Sequence, residues 1–97
     1  MDSDARIVSM SLGASKPTRL ENEAFRNAEK DGVLSIAAAG NGGIDGIGDS
    51  NDRAPTYPAS YLYDNIIAVA ATDVADNISS FSIFGINNVD IGAPGVD

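Results

Sequence analysis

At 97 residues with no cysteine, the chain is one small domain or part of a larger one, and neither a disulfide framework nor a thiolate zinc site can form from it. Its 14 acidic and 6 basic residues leave a net charge of -8, which argues against nucleic acid or an anionic membrane as partner, since both need a basic surface. Histidine is absent, so no imidazole general base comes from this sequence, and 43% hydrophobic residues mark a globular chain rather than a disordered one.

Met1-Asp2-Ser3-Asp4 is no secretion signal, and no apolar stretch has the length of a membrane span. Arg6-Ile7-Val8-Ser9-Met10-Ser11-Leu12 is short, apolar and partly β-branched, and Gly13 closes it; this predicts a strand. Thr18-Arg19-Leu20-Glu21, after Pro17, has capping-box spacing, in which hydroxyl and carboxylate each satisfy the other's backbone amide. A helix is expected from there, with Leu20, Ala24, Phe25 and Ala28 on its buried face and Gly32 as a left-handed stop. The run Val33-Leu34-Ser35-Ile36-Ala37-Ala38-Ala39 then breaks at Gly40-Asn41-Gly42-Gly43. Its only polar group before Gly40 is Ser35, so it reads as a strand covered on both faces, with Asn41 at its carboxyl end. That edge is where open α/β sheets bind ligands. Strand, helix and strand make one βαβ unit, for which a right-handed crossover is expected.

Residues 44–60 shift to Asp, Gly, Asn and Pro with no periodicity, which predicts a surface loop. Asn65-Ile66-Ile67-Ala68-Val69-Ala70-Ala71-Thr72-Asp73 is a third buried strand, Ser79-Ser80-Phe81-Ser82 a brief edge segment, and Val89-Asp90-Ile91 a short strand. Pro94 is expected to forbid ladder pairing beyond it. No internal repeat is present. Buried parallel strands need helices on both faces, and the one convincing helix covers a single face. The missing layer is expected from a larger α/β domain extending outside residues 1–97, or less simply from oligomerisation.

Met10-Ser11-Leu12-Gly13, Ala37-Ala38-Ala39-Gly40-Asn41-Gly42-Gly43, Tyr57-Pro58-Ala59, Ile67-Ala68-Val69-Ala70-Ala71-Thr72-Asp73, Ser80-Phe81-Ser82 with Gly85, and Val89-Asp90-Ile91-Gly92-Ala93-Pro94-Gly95-Val96 occur in that order. Together, over residues 6–96, they resemble subtilisin-like serine proteases. The resemblance implies a three-layer αβα fold with a mainly parallel sheet, of which this chain is an incomplete middle portion.

It also implies roles. Asn41 corresponds to the asparagine whose side-chain amide meets the oxyanion of the tetrahedral intermediate. A neutral, preoriented donor suits that charge, although by local sequence alone Asn41 also fits a left-handed turn ahead of Gly42. Ser11, Leu12 and Gly13 correspond to the strand that pairs with substrate backbone on the acyl side of the scissile bond. Leu12 also faces the pocket for the residue three positions further back. Ala38, Ala39 and Gly40 form the second wall of the pocket for the side chain before that bond, with Thr56, Pro58 and Ala59 at its floor. Ala37 is read as packing only. Asp90 falls where some relatives bind a structural calcium or a monovalent cation, with carbonyls near Tyr61 and Asp64; the chemistry itself needs no cofactor.

The family's reaction uses a serine nucleophile, a histidine base and an orienting aspartate. In its chain order the aspartate and histidine precede the Met-Ser-Leu-Gly strand and the serine follows the Ala-Pro-Gly turn. The resemblance therefore implies a chain inactive alone, whose partners are a polypeptide substrate and the remainder of the catalytic domain. A secreted, secretory or vacuolar address is expected by resemblance. The alternatives are a non-catalytic homologue that binds peptides, and an unrelated small α/β module of flavodoxin-like type. The second needs a phosphate-cradling loop, for which Gly13-Ala14-Ser15-Lys16-Pro17 is poorly suited.

Other motifs point nowhere further. The acidic stretch from Asp45 to Asp52 lacks EF-hand spacing and reads as a solvated loop, and Gly40-Asn41-Gly42 opens no dinucleotide fingerprint because Asp45 stands where the last glycine is needed. Asn77-Ile78-Ser79 is a glycosylation sequon, relevant only in a secretory compartment.

Overall fold

The computed structural model describes residues 4–42, 47–85 and 87–96. Strands β1 (Ile7–Met10), β2 (Leu34–Ala38), β3 (Ile66–Thr72) and β4 (Ile91–Pro94) form one sheet in the order β1-β2-β3-β4, with helix α1 (Arg19–Lys30) between β1 and β2. Every pairing is parallel, with Ile7 opposite Leu34, Ser35 opposite Ile66 and Val69 opposite Ile91. All four carboxyl ends therefore lie on one edge of the sheet. Gly43, at the end of the apolar run, and Asp45, in the acidic stretch, lie outside the described residues.

Alternation along the strands separates two faces. On one, Ser35, Ala37, Ile66, Ala68 and Ala70 are buried. Alanine's small side chain lets α1 come close, and Phe25 with Tyr61 fills the space between them and Ala59. On the other face Leu34, Ile36, Ala38, Ile67, Val69 and Ala71 are only half-buried, and Ile7 and Ile91 are exposed. The double cover expected for β2 is thus present on one side only within the described residues.

Helix α1 starts as expected, with the Thr18 hydroxyl accepting the Glu21 N–H at 3.2 Å. The reciprocal half of the capping box differs: the Thr18 N–H donates to the Tyr61 hydroxyl at 3.2 Å, so a tertiary contact does the work assigned to Glu21. At the other end Gly32 has φ 73°, its N–H donates to Glu29 O at 3.1 Å, and the Val33 N–H reaches Ala28 O at 2.9 Å. Those paired bonds are a Schellman stop. The buried face needs correction, because Leu20 is 82% exposed and Ala24 is exposed as well. Five residues of helix set Leu20 about 140° from Phe25, which is the side chain that anchors α1 to the sheet.

Three further expectations change. β4 lies later than expected and runs through Pro94, which pairs with Thr72. The Asp90 N–H donates to Ala68 O at 2.9 Å; where the two-residue repeat would call on the missing N–H of Pro94, Gly95 donates to Thr72 O at 3.0 Å instead. The segment 79–82 is not a strand but a turn that makes one isolated bridge, Ser82 with Asn41. The described part of the predicted surface loop also holds Asn51, Pro58, Ala59 and Ser60, all buried.

Candidate functional site

Where the carboxyl ends of β1 and β2 diverge, a cleft of about 410 Å³ opens between residues 11–15 and the turn after β2. Ser11, Leu12, Gly13, Ala38, Gly40, Asn41 and Thr56 all line it, so most of the residues picked from sequence meet at one place. Ala14, Ser15 and Ile83 complete the lining, none of which the sequence reading selected. Among the described residues, no charged side chain faces the cleft.

Each wall is held by backbone pairing. On one side Ala14 and Tyr57 exchange both N–H···O bonds at 2.8 Å, clamping the 11–15 segment against the loop that carries Thr56. On the other side Gly40 adopts φ 110°, a region open to glycine and costly for other residues. That bend turns the chain out of the strand, so that Asn41 follows as an exposed residue. The backbone around it is fixed: Ile83 N–H donates to Gly40 O at 2.9 Å, and Gly42 N–H donates to Phe81 O at 2.6 Å. Ser82 secures this contact to the sheet, its hydroxyl accepting the Ala71 N–H at 2.8 Å and donating to Ile83 O at 3.1 Å. Among the described residues nothing takes up the Asn41 side-chain amide. The result is a neutral donor on a rigid mount at the rim of a cleft.

Ala39, Pro58 and Ala59 do not line the cleft. Ala39 is fully buried beneath it against Ala70 and Ile83, and contributes its carbonyl, which accepts the Thr56 hydroxyl at 2.8 Å. Pro58 follows a cis peptide bond, and Ala59 joins the core around Phe25. Both lie under the Thr56 wall as packing.

Asp90 lines a separate hollow with Tyr61, Asp64 and Asn88. One of its carboxylate oxygens accepts the Ala68 N–H at 2.7 Å, and no group of three or more acidic, histidine or cysteine side chains gathers anywhere among the described residues. A hard cation takes six or more oxygens, so side chains alone do not make a calcium site here, and most of the ligands would have to be backbone carbonyls.

The signal missed in the sequence lies in the loop. Asn51 has 0% exposure and gathers bonds from Thr56, Ser60 and Asn88. No local pattern distinguishes it from the exposed polar residues around it. Ile83 had a weak signal, an apolar residue directly after Ser79-Ser80-Phe81-Ser82.

The profile described as the Subtilase family matches residues 1–97. Thermitase of Thermoactinomyces vulgaris is 43% identical over 94 residues, which are 97% of this chain and 30% of that protein. The major intracellular serine protease of Bacillus subtilis (strain 168) is 42% identical over 89 residues, 92% of this chain and 26% of that protein. Among solved structures, the psychrophilic subtilisin-like protease Apa1 of the Antarctic psychrotroph Pseudoalteromonas sp. AS-11 superposes with a TM-score of 0.75 at 42% identity, covering 94% of this chain and 18% of the other. The chain thus spans less than a third of each of these relatives.

Proposed function

The chain belongs to the subtilase family, and from that premise we propose that it forms the substrate cleft and one half of the oxyanion hole of a subtilisin-like serine endopeptidase. The observation that carries this reading is the Asn41 amide, exposed and without a described partner at the rim of the cleft, on a backbone pinned through Gly40 and Gly42. During acyl transfer negative charge develops on the carbonyl oxygen of the scissile bond. A neutral donor already aimed at that oxygen stabilises it without reorganisation. The cleft beside Asn41 takes the peptide on its acyl side, with residues 11–13 along one edge and Ala38, Gly40 and Thr56 along the other.

The nucleophile, the base and the residue that orients the base are supplied from outside these 97 residues. With no histidine in them, no set of their side chains can assemble that triad, and the chain alone is inactive. The substrate is a polypeptide. The acyl-transfer chemistry proposed here calls on no cofactor. A secreted address remains part of the proposal by kinship only, because the relatives include an intracellular protease.

The test is expression of the complete polypeptide that carries this chain, assayed for hydrolysis of an unstructured protein and for inactivation by a serine-directed sulfonyl fluoride. Hydrolysis abolished by the reagent is the expected result. A complete polypeptide that binds peptides in this cleft without cleaving them overturns the enzymatic reading and leaves a peptide-binding homologue.

A further inference from the structure

We infer that Asn51 is a positioning residue for the cleft, fixing through the Thr56 hydroxyl the wall from which Gly40 and Asn41 project. What the cleft does rests on the peptidase reading above; how it is held rests on geometry alone. Asn51 does not line the cleft and is wholly buried. Its side-chain oxygen accepts the Thr56 N–H at 2.6 Å and the Ser60 hydroxyl at 3.0 Å. A carbonyl oxygen has two lone pairs, and those two donors occupy both. The Thr56 hydroxyl, 3.3 Å from the same oxygen, has a single proton, and it lies closer to the Ala39 carbonyl, at 2.8 Å. The proton therefore goes to Ala39. That bond ties the last residue before the Gly40 bend to the opposite wall.

Asn51 is itself fixed from the far side. Its amide nitrogen donates to Asn88 O at 3.4 Å, and its own carbonyl accepts the Asn88 side chain at 3.1 Å. Because a backbone N–H can only donate and a backbone carbonyl only accept, Thr56 and Asn88 leave a single orientation for the amide. The adjacent Asp52 carboxylate holds the backbone N–H groups of Asn87, at 3.1 Å, and Asn88, at 2.9 Å. Leucine at position 51 would fill a similar volume but offer Thr56 and Ser60 no acceptor. The amide chemistry, rather than bulk, is what sets the wall.

The prediction turns on diverting one proton. Ser60→Ala empties a lone pair on Asn51, which the Thr56 hydroxyl can then use at the expense of Ala39. In the complete polypeptide, Asn51→Ala, Ser60→Ala, Thr56→Val and the double variant Ser60→Ala/Thr56→Val are compared on two peptides that differ only in the side chain before the scissile bond. Ser60→Ala and Asn51→Ala each shift the ratio of the two kcat/KM values by about 2- to 10-fold, the net worth of one hydrogen bond, in the same direction as Thr56→Val. The double variant matches Thr56→Val alone, since no hydroxyl is left to divert. Effects that simply multiply, or no shift in the ratio, overturn the inference.

A second arm needs no activity. Hydrogen exchange in Asn51→Ala is expected to quicken at the amides of Gly42 and Ile83 while that of Ser35, in the β2–β3 ladder, stays protected. Exchange that is unchanged, or faster everywhere alike, overturns the positioning role. If Asn51→Ala does not fold, Ser60→Ala takes its place in this arm. A wild-type polypeptide that cleaves neither peptide refutes the peptidase reading, and exchange alone then decides for or against Asn51.

Discussion

The Tyr61 hydroxyl accepts the backbone N–H of Thr18 at 3.2 Å, joining the start of α1 to a residue 43 positions further along the chain. The same hydroxyl lies 3.4 Å from Thr18 O, and its ring packs on Phe25 at 5.5 Å and Tyr57 at 4.9 Å between centroids. Helix start, aromatic core and the loop behind the cleft therefore share one side chain. Tyr61→Phe should lower stability by about 0.5–1.5 kcal/mol, the net value of one hydrogen bond. Glu21→Ala should cost less, because its carboxylate does not serve the Thr18 amide. Thermal unfolding of the two variants in the complete polypeptide gives the comparison.

Tyr61 also predicts an alkaline response. Burial pushes its phenol above the ordinary 10.0; the hydrogen bond with the Thr18 backbone opposes this, and the neighbouring Glu21 carboxylate adds to the rise. A phenol whose folded pKa is raised contributes its full stabilisation below the unfolded value, and that contribution is lost as pH rises through the folded value. Wild type should therefore lose Tm above pH 10 more steeply than Tyr61→Phe. Parallel curves for the two proteins would refute this.

Asn41→Leu keeps the approximate size of the side chain and removes the donor. In the complete polypeptide it should lower kcat by about 10²- to 10³-fold with little change in KM, the loss known for the oxyanion donor of a subtilisin and taken over here without adjustment. Because Asn41 is exposed, stability should stay within about 0.5 kcal/mol of wild type. Steady-state kinetics and a melting curve read the two effects separately.

Gly40→Ala attacks the mount rather than the donor. At φ 110° a side chain is strained, and its Cβ would stand 3.0 Å from Ile83 Cδ1. The strain is worth about 1–3 kcal/mol. Its relief would swing Asn41 off its line, so Tm and kcat should fall together, unlike in Asn41→Leu.

Asp90 is predicted to act as an acceptor and not as a cation ligand. Asp90→Ala leaves the Ala68 N–H without its partner and should cost about 1–3 kcal/mol, whereas Asp90→Asn retains a carbonyl oxygen and should cost clearly less. Adding calcium should not change this order. A calcium-dependent rise in Tm that Asp90→Asn abolishes would restore the cation reading.

Much of the site was legible along the chain because its parts are local. The strand ends at Ser11-Leu12-Gly13 and Ala38-Ala39-Gly40-Asn41 are marked by apolar runs that stop at glycine, and Thr18 and Gly32 mark where the helix begins and ends. These signals reflect backbone preferences acting over a few residues, so the sequence alone determined the parallel α/β plan, the position of Asn41 and the lack of an imidazole base. What it could not determine are choices among chemically similar residues made by partners distant in sequence. Tyr61 rather than Glu21 serves Thr18, and Gly95 supplies the donor that Pro94 lacks. Asn51, alike in composition to its solvated neighbours, becomes the buried amide behind the cleft. Only tertiary structure decides such cases, because a polar group's worth depends on whether burial leaves it a partner; Tyr61 lies 43 residues from Thr18, and Asn88, which fixes Asn51 from the far side, lies 37 residues from it.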